Sequence, residues 1–240
     1  MQLPPLIEGR LIKRYKRFLA DIQLTNGADI TAHCPNPGAM TGLADPGMPV
    51  WVSTSDNKKR KLPHTLEVVQ ADGTMVGINT GRPNALAAEA IEAGVIAPLA
   101  GYRTLRREVT YGANSRVDIL LEDHPNDARP CYVEVKNVHL RRPELAHPTA
   151  AEFPDSVTAR GTKHLFELGR MVDQGARAVM LYLVQRDDCD HFRLARDIDP
   201  AYTAAFAENC RAGLEAYCYS CSVDVHEITV TRPLDVIGPS

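Results

Sequence analysis

The sequence predicts a mixed α/β domain, with helices flanking a mixed sheet, preceded by a small all-β barrel of OB-like size. Three observations carry this. Before residue 80, apolar residues recur with period two and two hairpin dipeptides interrupt them. At Thr80-Gly81-Arg82-Pro83-Asn84 the period changes at a Pro-bearing joint. Beyond it, the pattern runs helix, three strands, helix, strand, helix, strand. This reading places the barrel at residues 1–80 and the α/β domain at residues 81–240.

In chain order, Phe18, Ala20, Ile22 and Leu24 alternate with Leu19, Asp21, Gln23 and Thr25, and Asn26-Gly27 turns the chain back into Ala28–Cys34. The prolines and glycines of residues 34–43 make an ordered turn. Val50–Ser53 is a short strand, and Leu66–Ala71 and Thr74–Ile78 flank the turn signal Asp72-Gly73. Several short strands in about 80 residues suit a small closed barrel. Asn84 is placed to cap a helix from Ala85 to about Ile96. Strands follow at 106–111, 116–121 and 131–138, then a helix at about 162–174 stopped by Gly175. Ala178–Val184 is continuously apolar, as in a strand covered on both faces. Residues 200–217 read as a helix with Pro200 in its first turn, and 222–230 as a closing strand.

The net charge is −3. Residues 1–80 carry nine Lys/Arg against seven Asp/Glu, and the remainder 18 against 23, so positive charge is local. It bunches at Arg10, Lys13, Arg14, Lys16 and Arg17 and at Lys58, Lys59, Arg60 and Lys61, where phosphate contact or a solvated edge are the two readings. No apolar run reaches the roughly 18 residues of a membrane span, and residues 1–17 lack the apolar centre of a signal peptide. The expectation is a soluble cytoplasmic protein with no membrane partner. Cys189, Cys210, Cys218 and Cys221 allow a metal cluster, but only Cys218/Cys221 have ligand-like spacing, so reduced structural thiols are the stronger reading.

The chemistry concentrates in residues 116–136. In Tyr132-Val133-Glu134-Val135-Lys136 the two valines share one face of a strand and Glu134 and Lys136 the other. Asp118 alternates likewise with Val117 and Ile119. If the two strands pair through the 122–130 loop, two carboxylates and one amine meet. Carboxylates are hard ligands for Mg²⁺ or Mn²⁺, and the amine can orient a water or offset phosphate charge. A surface Glu–Lys pair on a half-exposed strand gives the same pattern, so the spacing alone leaves both readings open.

KRYKRFLAD at 13–21, HCPNPGAMTGL at 33–43, STSDNKKRK at 53–61, EAI at 89–91, YVEVKNV at 132–138 and FPDSVTARGTKHLFEL at 153–168 closely resemble the sugar fermentation stimulation protein A family. The resemblance implies an OB-like N-terminal domain, a PD-(D/E)xK nuclease-like C-terminal domain, DNA binding and a part in regulating sugar (maltose) metabolism. It maps Asp118, Glu134 and Lys136 onto the nuclease signature and Glu89 onto an additional metal-site acid; Val117 stands where the signature has proline. Arg160, Lys163 and His164 open a helix, where an anion such as a DNA phosphate offsets their charge, though pairing with Asp155 or Glu167 would also serve.

The expectation is therefore a DNA-binding protein, with single strands or RNA as open substrates, holding Mg²⁺ or Mn²⁺ at Asp118, Glu134 and Glu89. Lys136 acts on the water, and Arg14, Lys58, Lys59, Arg60, Lys61, Arg160, Lys163 and His164 contact the backbone. The alternative is a non-catalytic DNA-binding regulator on the same fold; a small-molecule or protein-binding domain is a third class. Trp51, Phe18 and Tyr15 read either as base-stacking or as barrel core, and His33 and Asn36 as site lining or turn geometry. Oligomeric state is not legible.

Overall fold

The computed structural model describes residues 1–111 and 115–238. The chain begins with β1 (Leu6–Tyr15), β2 (Leu19–Leu24), β3 (Asp29–His33), β4 (Pro49–Thr54), β5 (His64–Ala71) and β6 (Thr74–Gly77). They form a sheet in the order β3-β2-β1-β4-β5-β6, and a parallel contact of His33 with Thr65 joins β3 to β5 and closes the barrel. Leu11, Ile22, Ala32, Val50, Val52 and Leu66 fill it. The OB-like barrel is thus present. Its first strand was not foreseen, because Arg10, Lys13 and Arg14 read as a charge run. Arg10 and Lys13 point outward from a strand whose Gly9 and Leu11 are buried, Arg14 is partly covered, and a Cβ on Gly9 would meet Ile22 and the Gln23 carbonyl below 3 Å.

The α/β part comprises α1 (Pro83–Glu92), β7 (Thr104–Tyr111), β8 (Ser115–Glu122), β9 (Cys131–Val138), β10 (Ala150–Phe153), α2 (Ala159–Asp173), β11 (Arg177–Val184), β12 (His191–Leu194), α3 (Pro200–Arg211), β13 (Glu215–Val223) and β14 (Ile228–Ile237). The sheet order is β10-β12-β14-β13-β11-β9-β8-β7. β7, β8 and β9 are antiparallel, whereas β9, β11 and β13 run parallel, so the sheet is mixed as expected. β11 explains its continuous apolar run. Val179, Leu181 and Leu183 pack on the face covered by α1, and Ala178, Met180, Tyr182 and Val184 on the face covered by α2 and α3. Among the described residues no helix is long and apolar enough to cross a membrane.

Two expectations are corrected. Asn84 is not the cap of α1; Arg82 holds that position without a side-chain bond, and Asn84 lies inside the first turn. The helix expected to reach residue 217 ends at Arg211, because Gly213 (φ +112°) turns the chain into β13. The segment 215–223 is a strand in which Cys218 faces the α2/α3 side and Cys221 the α1 side, so the pair cannot share a metal. All six thiols are free, and every one except the partly exposed Cys210 is buried.

The barrel is pinned to the α/β part through a buried acid. Glu67 accepts from Ser53 Oγ at 2.7 Å on one oxygen, and from Asn79 Nδ2 at 2.7 Å and Arg82 Nε at 2.8 Å on the other. Gly77 N–H donates to the Gln185 carbonyl at 2.9 Å, and Arg141 pairs with Asp72 at 3.0 Å.

Candidate active site

β8 and β9 pair antiparallel with Ile119 opposite Val133 and Leu120 opposite Tyr132. Continuing that register sets Asp118 opposite Glu134. The ladder stops there because the Asp118 side chain takes over one of its bonds: Oδ2 accepts from the Val135 backbone N–H at 2.7 Å, while Oδ1 accepts from Asn84 Nδ2 at 2.7 Å. Helix α1 therefore reaches the site through Asn84, which also donates to Glu108 Oε1 at 3.1 Å. Glu108 lies on β7 with φ +54°, a left-handed conformation rare for a residue with a side chain.

Glu134 is buried under α2, and both of its identified contacts converge on one oxygen. Oε1 meets Lys136 Nζ at 2.6 Å and also the His164 imidazole. Oε2 is buried and has no hydrogen-bond partner among the described residues. Burial pushes the Glu134 carboxyl up, but His164 and Lys136 more than reverse this and leave it below its ordinary value. Asp118 goes the other way: burial and then the Glu134 charge raise it, against the Val135 N–H, Lys136 and Asn84. Burial raises the neighbouring Tyr111 hydroxyl as well, helped by the charges of Glu134, Glu167 and Asp118.

A cleft of about 530 Å³ opens over Asp118, and Glu108, Ser115, Arg116, Arg160, Lys163 and His164 line it. Three cations therefore rim a floor of carboxylates. Lys163 stands 3.4 Å from Glu167 one helical turn on, and Arg116 is exposed.

Comparison with known proteins gives this arrangement a context. Residues 12–78 match the model of the sugar fermentation stimulation protein N-terminal OB domain, and residues 81–227 that of the sugar fermentation stimulation protein RE domain. The chain belongs to the sugar fermentation stimulation protein family. A sugar fermentation stimulation protein homolog of Maricaulis maris is 55% identical over 231 residues, 96% of each chain. A homolog of Rhodospirillum centenum is 56% identical over 235 residues, 98% of each chain. The Pyrococcus furiosus SfsA, solved in complex with Ca²⁺, shares the fold at a TM-score of 0.87 with 23% identity, over 99% of this chain and 98% of that one.

In this family member, Asp118, Glu134, Lys136, Arg160, Lys163 and His164 gather at one site; other expected residues do not join it. Glu89 accepts from the Met1 ammonium at 2.7 Å and is exposed. It follows Asn84 by five residues, roughly 140° round the helix, so α1 cannot aim both at Asp118. Arg14 is a loop pin: its guanidinium donates to the carbonyls of Asn36 at 2.8 Å, Gly38 at 2.9 Å and Arg17 at 3.0 Å. Lys58, Lys59, Arg60 and Lys61 lie exposed in the β4–β5 connection, with Arg60 donating to Thr65 Oγ1 at 3.0 Å. Asn36 holds turn geometry, donating to the Ile78 carbonyl at 3.1 Å, and His33 stacks on Phe18. Trp51 packs against the core rather than standing free, and Tyr15 donates to Asp21 at 3.1 Å. Sequence reasoning missed Asn84, Glu108 and Arg116. The last was within reach, since the alternation that placed Asp118 puts Arg116 on the same strand face.

Proposed function

We propose that this protein binds nucleic acid and acts on its phosphodiester backbone at a divalent-metal site centred on Asp118 and Glu134. One observation carries the reading: two carboxylates stand opposite each other on β8 and β9 with Lys136 beside them, and Asp118 opens to a cleft lined by Arg116, Arg160 and Lys163. Among the described residues no three His, Cys, Asp or Glu side chains are grouped to hold a metal ion. Two carboxylates still suit Mg²⁺ or Mn²⁺, which keep several waters and take one or two protein carboxylates. The partnerless Glu134 Oε2 and the raised Asp118 carboxyl are what a cation would relieve. The related Pyrococcus furiosus protein was solved with Ca²⁺, in keeping with a cation site in this fold.

Asp118 and Glu134 would hold the ion, which supplies Lewis-acid polarisation of a phosphate oxygen and a more acidic bound water. The chain supplies the rest. Arg116, Arg160 and Lys163 seat the phosphates and compensate their charge. Lys136, held 2.6 Å from Glu134, orients a water and offsets charge developing on phosphorus. His164 fixes Glu134 from α2, and Asn84 fixes Asp118 from α1.

The test is an assay of single- and double-stranded DNA and RNA with Mn²⁺, comparing wild type with Glu134→Ala and Lys136→Ala. Cleavage by wild type alone supports the reading. Binding without cleavage leaves a metal-free regulator, a role favoured by one observation: Lys136 already pairs with Glu134 without an ion, and His164 meets the same oxygen. Titration with Mn²⁺ of wild type against Asp118→Asn separates the two.

A further inference from the structure

Between the barrel and the α/β part lies a second cavity, of about 300 Å³, that the site above does not use. Its walls are Pro37 from the barrel turn, Val138 and Leu140 from the end of β9, and Pro154 and Val157 from the segment leading into α2. Into it face His139 and Asp155.

The protonation of His139 follows from its neighbours. Gln185 Nε2 donates to Asn137 Oδ1 at 2.6 Å, which turns the Asn137 amide nitrogen toward His139 Nδ1 at 3.3 Å. With the amide so oriented, Nδ1 accepts in the neutral ring and the N–H is at Nε2. That Nε2 is buried and makes no hydrogen bond among the described residues. Asp155 Oδ2 stands 3.5 Å from it, within ion-pair range but outside hydrogen-bond geometry. Asp155 is held where it is by the Met40 N–H at 3.4 Å and Ser156 Oγ at 3.2 Å, and glycine at 38 makes room, since a Cβ there would meet Asp155 Oδ2 at 2.2 Å. The cavity thus offers one N–H donor and one carboxylate acceptor side by side between apolar walls. A buried donor left unpaired is costly, and it is the group a ligand would satisfy.

The cavity begins one residue beyond Lys136. At about 3.3 Å per residue of strand, its polar pair is on the order of one nucleotide from the Glu134–Lys136 site. With Asp155 and Glu152 in its lining and no lysine or arginine, the cavity does not suit a phosphate. An adjacent donor and acceptor match the edge of a heterocycle that carries an amino group beside a ring nitrogen.

We propose that this cavity receives an unstacked adenine or cytosine of a single strand whose backbone crosses the Asp118–Glu134 cleft, an inference that rests on the function proposed above. His139 Nε2 donates to the ring nitrogen, Asp155 accepts from the exocyclic amine, and the proline and aliphatic walls cover the faces of the base. In that pose thymine and uracil set a ring N–H against the His139 N–H and a carbonyl against Asp155, so they meet the pair only by shifting along it and bind less well.

The test uses the full chain without metal at low salt, with fluorescent single strands read by anisotropy. Wild type binds oligo-dA or oligo-dC more tightly than oligo-dT by at least about tenfold, the value of roughly one charge-assisted hydrogen bond. One abasic position in the adenine strand removes that advantage. Asp155→Asn and His139→Phe abolish the preference while retaining the weaker affinity for oligo-dT. Should either variant fail to fold, Val157→Trp serves in its place: Val157 is 75% exposed, and an indole there blocks the cavity mouth without adding charge. Equal binding of the homopolymers, or a preference that survives these variants, overturns the base pocket and leaves the phosphodiester reading standing. Failure of wild type to bind any strand overturns both.

Discussion

Glu67 in the barrel and Glu134 in the α/β part are both buried carboxylates, and their surroundings differ in kind. Glu67 has both oxygens occupied, by Ser53, Asn79 and Arg82, and one of those partners is a cation. Glu134 has two cationic or ionisable partners crowded on Oε1 and, among the described residues, none on Oε2, with a second carboxylate opposite. A fully paired buried acid holds structure together, while a half-paired one beside another acid keeps capacity for something that arrives later.

The contrast can be broken by mutation. The largest effect falls on Glu67→Ala, which strands the Arg82 guanidinium in a buried joint and should reduce stability in urea unfolding by about 3–5 kcal/mol. Next comes metal linkage. At a hundredfold excess over its Kd, Mn²⁺ should stabilise wild type by about 2.7 kcal/mol and leave Asp118→Asn unmoved, as read by thermal melting. Glu134→Gln keeps an acceptor for Lys136 and should change stability by no more than about 1 kcal/mol while losing the Mn²⁺ effect. A loss as large as that of Glu67→Ala would erase the distinction between the two acids. Removing Arg116 should weaken binding evenly across sequences and lower the slope of log affinity against log salt by about one.

Asp155 lies between the two cases and sharpens the comparison through pH. Burial raises its carboxyl, but His139, the Met40 N–H and Ser156 outweigh that and hold it below the usual range. A folded value below the unfolded one means stability that is full above the ordinary value of about 3.9 and is lost as pH falls through the lower folded value. Asp155→Asn should therefore flatten the acid limb of the stability profile, a small effect visible in urea midpoints measured below about pH 4.

Much of this was legible in the sequence, for reasons that follow from period and register. Alternation placed Val133, Val135, Glu134 and Lys136 on their observed faces, and the hairpin from β8 to β9 brought Asp118 opposite Glu134. Helix direction was less legible. The resemblance mapped a metal-site acid onto Glu89, and nothing in PNALAAEAIE says which side meets the sheet, so the place of the amide Asn84 beside Asp118 was not legible. Arg14 looked like a phosphate contact because a guanidinium that pins loop carbonyls has the same one-letter code as one that meets solvent. Strand β13 was hidden because LEAYCYS continues a helical composition, and only the backbone turn at Gly213 separates it.

The cysteines on both faces of the sheet give the molecule a built-in clock. Cys34, Cys131, Cys189, Cys218 and Cys221 are sealed from solvent, and burial lifts their thiols above the ordinary range, while Cys210 is only partly covered. An alkylating reagent should modify Cys210 first. The pace at which the remaining thiols become reactive then counts opening events, with Cys34 timing the barrel and Cys131 and Cys221 the sheet, so the two halves can be asked separately which yields first.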